Sequence, residues 1–264
     1  MGAIIYSYLQ TPRLDRNWYP DVAVMPTVMI SGDLVTIRNI RNTIYRSEDD
    51  YTVTYYDTTF DLTELDEVRF MVEPFSDYRG PAHTLLSFGF SGQYVSISIE
   101  TRKEQWETYN PRYWLVNWYE LMYVIASEQD VIALRANHRK DDVYLYPIRT
   151  TPDKMRALFV DMVTRAYELS QHPEFYHTIT DNCTSSIRKH INKLREDPIP
   201  FDWSLILPYY SDRVAYELWL IDSDLPFDQT KQLYYINSIA SQCLEDERFS
   251  LCVRQWLTDR IEAQ

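Results

Sequence analysis

The sequence predicts an α+β fold: an antiparallel sheet packed against helices, followed by a helical C-terminal extension. Three observations carry this. Residues 83–102 alternate apolar and polar about a Ser91-Gly92 turn, with Val95, Ile97 and Ile99 on one side, which is the period of a strand with one buried face. Residues 151–166 change to the helical period, with Met155, Leu158, Phe159, Met162, Val163 and Ala166 on one face. A hydrophobic fraction of 45%, with 15% aromatic, lets a chain of 264 residues bury a sizeable core.

Taken in order, residues 1–25 read as irregular and aromatic. Thr27–Ile30 and Leu34–Ile37 flank Ser31-Gly32-Asp33 and predict a hairpin. Tyr51–Tyr56 and Val68–Val72 read as further strands. His83–Phe90 and Gln93–Arg102 form the second hairpin. Trp106–Trp118 reads as an aromatic loop or short helix, and the run from Trp114 to Ala126 leads into a strand. Val131–Arg135 and Val143–Tyr146 read as two more strands. Thr151 is an N-cap with Pro152 at the first helical position, and that helix stops before Pro173. A thiol helix begins near Cys183. Residues 1–195 thus form the expected catalytic part and 196–264 an acidic, mostly helical extension. Between 196 and 247, eleven Asp or Glu stand against Arg213 and Lys231 alone.

Charge and composition exclude several functions. A net charge of −13 and a pI near 4.8 oppose a nucleic-acid partner, which needs a basic footprint, and oppose docking on anionic lipid through bulk charge. Five glycines leave no Gly-rich phosphate loop, and no cofactor motif is present. No signal peptide is visible and no uncharged apolar run reaches the roughly 18 residues of a membrane span; the most apolar region, Leu115–Ala126, is interrupted by Glu120. Met1-Gly2-Ala3 reads as a start downstream of an anchor that this chain lacks. Of three cysteines, Cys243 and Cys252 read as two separate core thiols, with pairing in an oxidising compartment as the alternative.

The chemistry centres on Phe175–Leu194. Ile187, Ile191 and Leu194 lie on one helical face, and Cys183, four residues before Ile187, continues it. Asn182 is the expected N-cap. Cys183 then sits in the first turn, where the helix dipole favours a thiolate. A buried structural thiol is the other reading of that position. A nucleophile needs a base, and the second hairpin supplies one: with Ser91-Gly92 as the loop, Phe90 opposes Gln93 and Leu85 opposes Ser98. His83 then opposes Glu100, with Cβ atoms roughly 5 Å apart. A histidine beside a carboxylate on rigid strands is a base with its orienting partner; an ordinary cross-strand pair on a wet sheet face is the alternative. His177 is a rival base without an opposed carboxylate. A zinc site from His177, Asp181 and Cys183 has no recognised ligand spacing.

The blocks Ala82–Phe90, Ser98–Arg102, Tyr119–Ile125, Glu128–Val131, Val143–Pro147, Phe175–Thr184 and Leu207–Tyr216 together resemble one bacterial family. It is typified by the N-terminal periplasmic domain of Lnb, the lipoprotein N-acyltransferase of Bacteroides-type bacteria. The resemblance implies a papain-like thiol fold of the circularly permuted NlpC type, with histidine before cysteine. It implies Cys183 as nucleophile, His83 as base and Glu100 in the third, orienting position. Asp181 departs from the asparagine common in the family. The implied activity is acyl transfer through a thioester on a phospholipid or lipoprotein acyl substrate. The implied location is the periplasm, with the full-length protein held at the inner membrane by a segment absent from this chain. The Cys183 N–H would help bind the oxyanion, with Asn182 or Tyr176 as an added donor. A cysteine hydrolase, either a peptidase or a cell-wall amidase, is the alternative on the same fold, since acceptor choice lies in the pocket and not in the nucleophile. A non-catalytic binding domain that keeps the fold is a third reading.

Overall fold

The computed structural model describes residues 10–75, 81–107, 118–201 and 208–262. The aromatic stretch from Trp106 to Trp118 falls largely outside these residues. Among the described residues ten strands form: β1 (Thr27–Ser31), β2 (Leu34–Arg41), β3 (Ile44–Tyr45), β4 (Tyr51–Thr52), β5 (Tyr55–Asp61), β6 (Leu65–Pro74), β7 (Ala82–Phe90), β8 (Gln93–Arg102), β9 (Glu120–Ala126) and β10 (Tyr144–Pro147). Eight belong to one sheet of order β1-β2-β9-β8-β7-β6-β10, with β5 also pairing β2. The predicted 51–56 strand is divided between β4 and β5, because the chain turns a corner at Thr54, whose carbonyl and hydroxyl both bond the backbone of Asn42.

The sheet is mixed and not purely antiparallel as expected: β2 and β9 run parallel at Arg41↔Ala126. Hairpin signals in a sequence report only antiparallel neighbours, whereas this junction joins segments far apart in the chain. The second hairpin has the expected register, with Phe90↔Gln93 and Leu85↔Ser98 paired, and Ser91 and Gly92 take the positive φ values of 47° and 98° that the tight turn requires.

The expected strand Val131–Arg135 is instead helical. Helix α1 (Glu128–Ile132) starts at Ser127, whose hydroxyl accepts the Asp130 N–H, and continues as a π-helical turn, Ala133–Arg139. A short apolar run fits a buried strand or a buried helix equally, and here the cap decides. Helix α2 (Pro152–Gln171) begins as predicted, with Thr151 capping Lys154. Helix α3 (Cys183–Asn192) follows, then α4 (Ser211–Glu217), α5 (Phe227–Leu233), α6 (Asn237–Cys243) and α7 (Phe249–Glu262). Cys243 and Cys252 form a disulfide between α6 and α7, contrary to the reading of two separate thiols. The bend between the helices brings their Cα atoms to 5.7 Å, within disulfide reach. Cys183 is the free cysteine and is buried. Among the described residues, no helix is long and apolar enough to cross a membrane.

The helices cover the sheet on two sides. On one, Phe88 and Phe90 of β7 hold their rings 5.0 Å from Phe159 of α2, and Thr84 Oγ1 lies 3.0 Å from Thr184 Oγ1 of α3. On the other, Ser87 donates to Glu128 of α1, and Arg254 of α7 pairs with Glu128 and Glu67. Successive strand residues point to opposite faces, so β7 alternates between an α2–α3 face and an α1–α7 face.

Candidate active site

Cys183 opens α3. Asn182 caps the helix in extended conformation: its Oδ1 accepts the Ser185 N–H at 2.7 Å, and Ser185 Oγ accepts the Asn182 N–H at 3.0 Å, a reciprocal capping box. The first turn is otherwise open. Among the described residues the N–H groups of Cys183 and Thr184 find no acceptor, as the first donors of a helix do. They form a positive helix end at the thiol, able to receive an oxyanion. Cys183 Sγ lies 3.8 Å from Thr184 Oγ1. The amide nitrogen of Asn182 donates to Thr178 O, so both ends of that side chain serve the turn. Tyr176 is anchored through its N–H to Tyr119 O, with a half-buried ring. His177 Nδ1 accepts from the turn's N–H groups, and Asp181 takes Lys189 and Thr180. Among the described residues no cluster of three His, Cys, Asp or Glu side chains could hold a metal ion.

His83 lies near the start of β7, level with Glu73 on β6. Its Nε2 lies 2.7 Å from Ser98 Oγ and 3.9 Å from Glu100 Oε1. Ser98 Oγ donates to Glu100 Oε1 at 2.7 Å. The carboxylate therefore acts on the ring through the serine hydroxyl. A hydroxyl whose proton is committed to Glu100 must accept from His83, which assigns the imidazole proton to Nε2 and leaves the basic lone pair on Nδ1. Arg135, from the π-helical turn, closes the group, bonding Glu73 Oε2 at 2.5 Å and Glu100 Oε1 at 3.2 Å. Burial and the nearby Arg135 guanidinium push the His83 pKa down to about 3, against the pull of Glu100, so the ring is neutral at ordinary pH. Burial raises the Glu100 pKa, but the guanidiniums of Arg41 and Arg135 outweigh it and hold it at about 2.

Cys183 and His83 are not joined by a hydrogen bond in this arrangement. They flank the Thr84–Thr184 contact, one residue to its N-terminal side on each element, so both stand at the same end of the sheet. Thr84 faces α3, however, and His83, the residue before it, leaves the strand on the opposite face. The structure brings His83, Ser98 and Glu100 together and shows no hydrogen bond from this group to Cys183, whose helix meets the sheet at Thr84.

Two features of the α2–α3 face were missed from sequence. The first is a cavity of about 390 Å³, lined by Val68, Phe70 and Leu86 of the sheet, Leu158 of α2, and Thr184 and Ile187 of α3. Thr184, whose hydroxyl lies 3.8 Å from Cys183 Sγ, is the lining residue next to the thiol. The second is a buried polar chain: His190 Nδ1 bonds Asp161 at 2.6 Å and its Nε2 bonds Tyr123 OH at 2.8 Å. His190 follows Cys183 by seven residues, two turns along the same helix side, and that spacing is the signal that could have found it.

Residues 51–209, more than half of the chain, match the family model described as the Lnb N-terminal periplasmic domain. Neither the curated proteins nor the solved structures contain a match to the chain.

Proposed function

The chain belongs to the Lnb N-terminal periplasmic domain family, and from that premise we propose that it is a cysteine-dependent acyl-transfer enzyme of the bacterial cell envelope, acting on lipid or lipoprotein acyl groups. The observation that carries this reading is the apolar cavity reaching Thr184, the residue beside the only free thiol among the described residues. An apolar space next to a thiol suits an acyl chain whose carbonyl must meet Sγ. We read the order of the parts, a histidine strand before a cysteine helix, as the permuted papain-like, NlpC-type arrangement.

In this mechanism Cys183 Sγ attacks the carbonyl carbon of an ester, and its proton passes to Nδ1 of His83. The oxyanion takes the open N–H groups at the start of α3. The intermediate collapses to a thioester, and the departing alkoxide takes the proton from His83. An acceptor amine then attacks the thioester, forms the amide and returns the thiol. In this reading Ser98 and Glu100 orient the His83 ring and stabilise the imidazolium, and a shift of the ring at the start of β7 on substrate binding brings Nδ1 to Sγ. Periplasmic residence fits both the family's description and the Cys243–Cys252 disulfide, which an oxidising compartment maintains. Tethering to the inner membrane belongs to the same proposal.

The test is intact-protein mass spectrometry after incubation with diacyl lipid. The expected result is a mass increase of one acyl group, mapped to Cys183 and absent from Cys183→Ala. No adduct under turnover conditions sinks the reading. An adduct that decays to free fatty acid without moving to a supplied amine identifies a cysteine hydrolase instead.

A further inference from the structure

The cavity that reaches Thr184 is apolar inside, but its lining also includes Lys154 of α2 and Arg188 and Arg195 at and just beyond the C-terminal half of α3. In a chain of net charge −13, cations are scarce and most are taken. Arg149, on the same cavity, is neutralised by Asp222 and Asp224 at 2.9 and 3.1 Å. The other three are not. Arg188 Nε bonds only the carbonyls of Ile199 and Pro200, and Arg195 Nε only that of Asp197. Among the described residues none of Lys154, Arg188 and Arg195 forms an ion pair with a carboxylate. Arg188 and Arg195 are half-buried and Lys154 is exposed, which puts an unneutralised cationic group where the apolar space meets water.

We propose that the cavity binds a glycerophospholipid, with one acyl chain among Phe70, Leu86, Leu158 and Ile187 and the phosphodiester on Lys154, Arg188 and Arg195. This rests on the acyl-cavity reading above and narrows it. A neutral diacylglyceryl group would leave three cations without counter-charge, whereas a phosphate oxygen accepts charge-assisted hydrogen bonds from guanidinium and ammonium alike. The acidic remainder of the surface strengthens the point. Bulk charge repels an anionic bilayer, so recognition of an anionic head group must be local to these side chains.

The experiment is isothermal titration calorimetry on the full chain with three probes below their micelle concentrations: 1-lauroyl-lysophosphatidylglycerol, monolauroylglycerol and laurate. They share one chain and differ in the head. The lysophospholipid should bind about tenfold more tightly than monolauroylglycerol, with the advantage shrinking as salt rises. In Lys154→Gln/Arg195→Gln that advantage should fall below about threefold while monolauroylglycerol binding stays unchanged. Val214→Trp, which fills the cavity from its half-buried wall, should weaken both lipids. Equal binding of the two lipids by the parent protein, binding of neither, tightest binding of laurate, or an advantage that survives the double substitution each overturns the proposal. Because the readout is binding alone, phospholipid binding without any Cys183 adduct leaves this inference standing and removes the acyl-transfer reading. A Cys183 adduct without head-group preference does the reverse.

Discussion

On β7, Ser87 donates to the buried Glu128 on one side of the sheet, while Phe88, the next residue, packs its ring on Phe159 on the other. The contrast extends over the neighbouring strands. The α1–α7 face holds Arg41 with Asp130, Arg135 with Glu73 and Glu100, and Arg254 with Glu67 and Glu128. The α2–α3 face holds the Phe60, Phe88, Phe90 and Phe159 cluster and a cavity. One face is held by paired, buried charges that permit little rearrangement without uncovering an ion in a low dielectric. The other is held by apolar contact and is not completely filled, so it can admit a chain. The difference teaches where each function can lie: the rigid polar face suits the orientation of His83, and the incompletely filled face suits substrate.

That comparison is broken most severely by removing the central cation. Arg135→Met removes the guanidinium that the buried Glu73 and Glu100 share and should cost about 3–5 kcal/mol in urea unfolding at pH 7; a loss below about 1 kcal/mol would show that water already screens this face. The next effect is on pH dependence. The folded His83 ring stays neutral down to about 3, whereas its unfolded counterpart takes a proton below about 6.5, so stability falls as pH drops through that window. Glu100 adds to the fall, since its depressed value of about 2 gives stability that is present above its ordinary value and lost on acidification towards 2. His83→Gln should therefore flatten the decline between pH 6.5 and 4 by an amount on the order of 2 kcal/mol. An unaltered slope would place that acid sensitivity elsewhere, with the buried His190, also shifted down by burial, the next candidate.

A smaller change should sharpen the picture of the bridge. Ser98→Ala strips the His83 Nε2–H of its acceptor and should cost about 1 kcal/mol. It should also loosen the ring and so change the rate of the acyl transfer proposed above. Unchanged kinetics with unchanged stability would mean that the bridge has no part in placing the base. The smallest effect expected is on the apolar side. Thr84→Val removes the hydroxyl that meets Thr184 Oγ1 and should cost about 0.5 kcal/mol by thermal unfolding. A cost above about 2 kcal/mol would show that the Thr84–Thr184 bond, and not apolar packing, docks α3 on the sheet.

Much of the site could be read locally. The Ser91-Gly92 turn set the register through Leu85↔Ser98, where the ladder ends, and beyond it His83 Nε2 still comes within 3.9 Å of Glu100 Oε1. Asn182 was legible as a cap and Thr151 likewise. The Ser98 bridge was not, because a diagonal hydroxyl bond depends on rotamers that register alone leaves open. Nor was Arg135, since it was read on a strand and owes its position to a helix capped by Ser127. The Asp161–His190–Tyr123 chain joins α2, α3 and β9, three segments whose proximity no local pattern encodes.

Periodicity, caps and hairpin register were determined by the chain alone, because each depends on interactions within about ten residues of sequence. The same holds for the statement that His83 and Thr84 point opposite ways, which follows from the pleat of any strand. Which helix covers which side is a different matter. It depends on the strand order, on the parallel β2–β9 junction and on where α1 and α3 come to rest. Only the packed structure assigns His83 to the face of Arg135 and helix α3, through Thr184 and Ile187, to the face with the cavity. The physical reason is that alternation creates two faces of a sheet, while the burial of distant apolar segments selects what lies against each.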